Sequence, residues 1–295
     1  MYAFVRRLST LFLLLPVLGL TSDVYAQTSN ESGFSISASE LIDLMPNSDV
    51  VVLHVARDSS DYRTGHIEGA RFLSLNHIAV TRDAQQRMLP DWKALQDIFE
   101  SVGISNDTYV VLYGEMNGLA ATRAFLALDY MGHGKMSVLD GGFAAWQAED
   151  GAISTEAASP IMPGRYRVKV HPQRIVTANQ LESSIGEVAI IDARSIGEYS
   201  GEKPGNGITR PGHIPGAISM DWQMNLTDDG LMRPVSDLSK DYPVIGERVI
   251  VYCRTGMKAS YAYFVARNLG LNVALYDGSF SDWSNNTRFP VETGR

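Results

Sequence analysis

Val249-Ile250-Val251-Tyr252-Cys253-Arg254-Thr255-Gly256-Met257-Lys258-Ala259-Ser260 reads as three pieces in a row. Four apolar residues make a strand without a polar face, the pattern of a parallel strand covered on both sides. A short loop with a glycine follows, and then a helical stretch over Ala259–Leu269 carrying Tyr263, Phe264, Ala266 and Arg267. Earlier in the chain, Tyr109–Tyr113 is a second such strand, Gly114-Glu115-Met116-Asn117-Gly118 a second such loop, and Leu119–Tyr130 a second helical stretch. A strand, a tight loop and a helix that recur in this way point to a duplicated α/β domain.

The duplication extends outward. Ser37-Ala38-Ser39-Glu40-Leu41 matches Thr177-Ala178-Asn179-Gln180-Leu181, and both read as a helix start with a capping box. Val50–Val55 ending in Ala56-Arg57 matches Val188–Asp192 ending in Ala193-Arg194. Gly65-His66-Ile67-Glu68-Gly69-Ala70 matches Gly212-His213-Ile214-Pro215-Gly216-Ala217. Leu139-Asp140-Gly141-Gly142-Phe143 with Trp146 matches Tyr276-Asp277-Gly278-Ser279-Phe280 with Trp283. The order is the same in both halves. The period, about 120–130 residues, is far longer than the ~20–50 of a solenoid repeat. Strands alternating with helices imply a mostly parallel central sheet flanked by helices in each half. The expected division is a first domain over 34–150, a linker over 151–171 that runs extended along one domain, and a second domain over 172–291.

Composition narrows the function. The chain has 295 residues, of which 45% are apolar and 20% charged, which excludes disorder, collagen and coiled coil. The formal net charge of −8 argues against a general nucleic-acid binder, which needs a basic face. A single cysteine excludes an intramolecular disulfide and a Cys-rich zinc site. At the N-terminus, Arg6-Arg7, the apolar Leu8–Leu20 and the small residues around Val24-Tyr25-Ala26 read as a signal peptide over 1–26, with Gln27 as the mature N-terminus. The apolar run is short for a bilayer span, which takes about 20 residues. No stable membrane anchor is therefore expected after cleavage, and the protein is expected to be periplasmic or secreted. Loss of two arginines and one aspartate takes the charge from −8 to −9.

The lone cysteine sits where open α/β sheets bind ligands, at the carboxyl end of a strand. A loop opening a helix aims successive N–H groups inward as an anion-binding nest, and the helix dipole adds positive potential. Arg254 and Lys258 bring formal positive charge to the same place. All of these favour the thiolate, the attacking form of cysteine. Gly256 allows a backbone conformation that a Cβ opposes.

With these residues in view, the arrangement resembles the tandem-domain rhodaneses, the thiosulfate and 3-mercaptopyruvate sulfurtransferases, in an exported bacterial form. The matching features are Asp192–Arg194, the Gly-His-Ile-Pro-Gly-Ala segment at 212–217, the Cys-Arg-x-Gly loop at 253–256, and Tyr276–Ser279 with Trp283. The insertion 201–211 is also typical of the second domain of tandem members. The resemblance implies a silent first domain, consistent with Gly114 in place of cysteine. It implies that Cys253 is the catalytic nucleophile, carrying sulfur as a persulfide from thiosulfate to cyanide or a thiol. Arg254, Thr255, Gly256, Met257, Lys258 and Arg194 are implied to bind substrate, with Asp192 and His66 in support. No metal or organic cofactor is required. The implied partners are a small anionic sulfur donor and a thiol or protein acceptor, and the implied state is a monomer.

The chain also departs from the family. Thiosulfate-specific animal members resemble Cys-Arg-Lys-Gly-Val-Thr at the loop, and mercaptopyruvate members Cys-Gly-Ser-Gly-Val-Thr; here Arg254 is followed by Thr255. Glu198 stands where many tandem members carry a second substrate-binding arginine, and Lys258 or Arg210 are candidates to compensate. A relay of His66 with Asp58 or Asp61 toward the loop hydroxyl would signal the mercaptopyruvate activity instead. A phosphatase of the same fold needs a loop one residue longer and an arginine six positions after the cysteine, which is Ala259 here. A persulfide carrier loaded by a partner is the remaining alternative. His54, His77, His133 and His171 show no ligand spacing.

Overall fold

The computed structural model describes Gly33–Gly294. The segment read as a signal peptide, 1–26, lies outside the described residues. Among the described residues, no helix is long and apolar enough to cross a membrane.

Two five-stranded sheets form the frame. In the first, the strands lie in the order Ser35–Ile36, Met136–Leu139, Tyr109–Gly114, Val50–Ala56, Arg71–Ser74. In the second, the order is Ile175–Val176, Val273–Tyr276, Val249–Tyr252, Ala189–Asp192, Ile218–Ser219. Every pairing within these two sheets is parallel. The central strands are runs of Val, Ile and Leu because each is covered on both faces. Both anticipated capping boxes form: Ser37 with Glu40, and Thr177 with Gln180.

The duplication reaches individual hydrogen bonds. Tyr62 Oη donates to the Ala70 carbonyl at 2.8 Å, and Tyr199 Oη to that of Ala217 at 2.7 Å. Tyr113 Oη accepts the Ile67 N–H, and Tyr252 Oη that of Ile214. Trp146 Nε1 donates to Ala152 O, and Trp283 Nε1 to Pro290 O. The strand register corrects one sequence match. His54 lies opposite Tyr113 as Asp192 lies opposite Tyr252, so the level of Arg194 is occupied by Ala56 rather than Arg57. Arg57 is exposed and pairs with Glu115 at 2.9 Å.

Helices Leu119–Tyr130 and Met257–Asn268 pack against each other and join the two halves. Leu119–Asp129 is buried throughout, as are Met257 and Ala259–Ala266. The charged residues in the first of these spans are paired, Arg123 with Asp277 and Asp129 with Arg267. Phe125 meets Phe264 edge-on at 5.2 Å between ring centroids, and one core runs through both halves. The segment 151–171 is bonded to the first half along much of its length. Ile153–Ser154 pairs antiparallel with His66–Ile67. Gly164 N–H donates to Glu100 O, Arg167 N–H to Asn106 Oδ1, and His171 N–H to Tyr130 O.

Candidate active site

Cys253 follows the last residue of the Val249–Tyr252 strand and is 1% exposed. The chain then bends through Arg254 and Thr255 to Gly256, whose φ of +84° caps the Met257–Asn268 helix. Only glycine takes that conformation without strain, and here space is also short. A Cβ on Gly256 would lie 3.0 Å from Asp277 Oδ1 and 3.1 Å from Arg123 Nη1.

The loop is pinned from one side. Cys253 N–H donates to Ser279 Oγ at 3.3 Å, and Ser279 Oγ donates to Tyr276 O at 2.9 Å. The carbonyls of Cys253 and Arg254 accept the N–H groups of Phe280 and Ser281. Among the described residues, no protein acceptor takes the N–H groups of Arg254, Thr255 or Gly256. With the helix start behind them, these donors form a cradle for an anion.

Charge around the loop is less positive than its sequence suggests. Lys258 Nζ is 2.9 Å from Glu198 Oε2. Burial opposes the charge of Glu198, yet the hydrogen bond and charge of Lys258, with Arg194 and Arg254 nearby, hold its carboxyl below the usual range. Arg254 packs over Gly205, where a Cβ would fall 2.7 Å from its Cδ, and makes no ion pair among the described residues. Arg210 does not compensate, since its guanidinium donates to the carbonyls of Ser284, Phe289, Trp283 and Asn286.

The first half reaches over to this site. The hairpin of Val80–Arg82 and Gln85–Met88 turns through Asp83 and Ala84, both at positive φ. Its tip and Thr255 line one cavity of about 350 Å³, together with Asn206, Gly207 and Asp282. Gln85 Nε2 donates to Asp282 Oδ1, and Leu89 N–H to Asp277 Oδ2 at 2.7 Å. Arg123, fully buried, meets Asp277 at 2.8 Å and donates to Arg87 O.

Residues 37–149 and 177–286 each match the rhodanese-like domain. The chain belongs to the tandem-domain rhodanese family. It is 34% identical over 266 residues to the sulfur carrier protein TtuD of Thermus thermophilus, covering 83% of this chain and 91% of that protein. It is 33% identical over 274 residues to a thiosulfate sulfurtransferase of Corynebacterium glutamicum, covering 88% and 90%. Among solved structures, the anaerobic ergothioneine biosynthesis enzyme of Chlorobium limicola, in complex with trimethyl histidine, superimposes with a TM-score of 0.79 at 25% identity, covering 89% of this chain and 70% of that one.

Within this rhodanese, the expected site residues separate into two groups. Cys253, Arg254, Thr255, Gly256 and Lys258 come together in and beside the loop. Met257 shares the loop only through its backbone, because its side chain is buried in the core. Arg194, expected to bind substrate, lies apart from them. Its side chain is buried, with Nε at 2.9 Å from Asp192 Oδ1 and Nη2 at 2.7 Å from Gly212 O. Its guanidinium also stacks 4.0 Å from the Phe280 ring. Burial opposes its charge and Asp192 restores it, so the pair is a scaffold beneath the loop. His66 is likewise structural. It stacks on Tyr62 at 3.6 Å, and its Nδ1 lies 2.6 Å from Tyr62 O, an arrangement His213 repeats with Tyr199. Among the described residues, none of its contacts reaches Thr255. The residues missed from sequence are Ser279, Asp277, Arg123 and the hairpin tip. The repeat Tyr276–Ser279 marked two of them; the others depend on how the halves meet.

Proposed function

We propose that this rhodanese moves a sulfane sulfur from thiosulfate to a thiophilic acceptor through a persulfide on Cys253. The supporting observation is the only thiol of the chain standing at the rim of a cradle of unpaired N–H groups with Arg254 beside it. The Cys253 thiolate attacks the outer sulfur of thiosulfate and forms a new S–S bond. The S–S bond of the donor breaks, and sulfite leaves with its electron pair. The cradle and Arg254 hold the anionic oxygens during this step. The acceptor, cyanide or a thiol, then takes the outer sulfur, and the Cys253 thiolate is released. No external oxidant enters, and the order of events is ping-pong. We further propose, on the N-terminal pattern alone, that the chain is exported with cleavage before Gln27, and, on the family resemblance, that it acts as a monomer.

The test is sulfur transfer to cyanide by the mature protein, with thiosulfate against 3-mercaptopyruvate, and with Cys253→Ser. Thiocyanate formation from thiosulfate is expected, falling to background in the variant. Preference for mercaptopyruvate would move the donor assignment. One observation favours a second reading, a persulfide carrier: the Glu198–Lys258 pair offsets a loop cation that a dianionic donor would use. Slow turnover with a long-lived persulfide on Cys253 would select it.

A further inference from the structure

The loop of the first half has a cavity of its own, about 470 Å³, which the proposed reaction does not use. Its lining is opposite in character to that of the Cys253 loop. Glu115, Asp140, Asp228 and Asp229 contribute carboxylates, and no Lys, Arg or His lines it. Glu115 is already paired with Arg57. Asp140 is different: its Oδ1 accepts the Met232 N–H at 2.8 Å, but no cation lies within ion-pair distance among the described residues. Burial accordingly pushes its carboxyl above the usual range.

The missing cation can be identified by comparing the halves. Asp277, the counterpart of Asp140, is held by Leu89 N–H and neutralised by Arg123, which lies five residues beyond Gly118 on its helix. Five residues beyond Gly256, the same position on the partner helix is Tyr261. Tyr261 reaches the cavity of the other half as Arg123 reaches Asp277. It is 5% exposed, and its hydroxyl has no hydrogen-bond partner among the described residues. A carboxylate and the unpaired hydroxyl of a buried tyrosine thus face a space where the other half places a guanidinium.

We propose that this cavity binds a small organic cation, an ammonium or guanidinium on an apolar body, with Asp140 as its counter-ion and the Tyr261 hydroxyl accepting one of its N–H groups. Phe143 and the Tyr261 ring supply apolar and aromatic surface for the body and for the charge. The helix N-terminus at Gly118 does not decide the sign, because Asp140, Asp228 and Asp229 outweigh its partial charge.

The experiment is calorimetric titration of the full mature chain with phenethylammonium, using 2-phenylethanol as the neutral control. Saturable one-to-one binding of the ammonium and none of the alcohol is expected. Asp140→Asn keeps the acceptor for Met232 N–H and should weaken binding about ten-fold or more, the scale of losing a charge-assisted contact. Tyr261→Arg, which recreates the pair of the other half, should abolish binding while the protein stays folded by circular dichroism. Cys253→Ser should bind as the parent does, which separates this site from the reaction. Absence of saturable binding, equal affinity for the alcohol, or unchanged affinity in Asp140→Asn would overturn the proposal.

Discussion

The Gly114–Gly118 and Cys253–Gly256 loops are built on one frame and carry different chemistry. Both follow a buried central strand, and both end at a glycine with φ +84° that caps a long helix. Beside each, an aspartate accepts a backbone N–H from the opposite half, Leu89 on Asp277 and Met232 on Asp140. They differ in length, since Tyr113 precedes its cap glycine by one residue more than Tyr252 does. They differ in charge: Arg254, Lys258 and a neutralised Asp277 on one side, Glu115, an unneutralised Asp140 and a phenol on the other. The frame is what the fold requires, because strand ends and helix starts must be closed by local hydrogen bonds. The charge pattern is free to diverge, and with it the ligand each loop can hold.

The sharpest way to break the comparison is to remove the residue that most separates the halves. Arg123→Met would leave Asp277 buried beside the Cys253 loop without its cation. Losing one partner of a buried ion pair costs about 3–5 kcal/mol, which should be visible as a lower urea midpoint. Tyr261→Phe removes a hydroxyl with no protein partner and should change stability by no more than about 0.5 kcal/mol. Similar losses in the two variants would mean that the pair is not what distinguishes the loops.

A second test asks whether the first loop is silent only for want of a thiol. A Cβ on Gly114 would lie 2.0 Å from the Val55 carbonyl oxygen, so the backbone has closed over the place that Cys253 occupies in the other half. Gly114→Cys should therefore destabilise the protein by about 1–3 kcal/mol, the usual cost of overpacking. In a Cys253→Ser background it should restore no sulfur transfer. Recovered transfer would show that the backbone can reopen and that the frame alone suffices.

The frame itself was readable from the residues because its signals are local. Capping boxes at Ser37 and Thr177, unbroken Val and Ile runs, and paired Gly-His-Ile segments each act within a few residues of one another. Cys253 was readable for the same reason, as a thiol directly after a buried strand. The burial of Arg194 was not readable, because an arginine at a strand end is exposed or buried according to whether a carboxylate and a carbonyl meet it, and Asp192 and Gly212 both do. The stacking of His66 on Tyr62 was likewise invisible in the spacing. Arg123 and the Asp83–Gln86 turn gave no signal at all. Their role exists only once two helices dock and bring the halves face to face.

The smallest expected effect concerns the ion pair at the edge of the Cys253 loop. Glu198→Gln keeps an acceptor for Lys258 but removes the negative charge, leaving Lys258 free to attract an anionic donor. The KM for thiosulfate should fall about three-fold, within the range of one partly exposed charge, while kcat stays close to the parent because Cys253 is untouched. A higher KM would mean that Glu198 positions Lys258 rather than competing for it. The stability effect has a definite sign with pH. The Glu198 carboxyl is held below its ordinary value near 4.5, so its contribution is complete above that pH and disappears as the pH falls through the lower folded value. The parent should exceed Glu198→Gln by less than about 1 kcal/mol at neutral pH, since Lys258 is partly exposed. That difference should vanish in acid, and a difference that instead grew as the pH fell would show that the pair does not stabilise the loop.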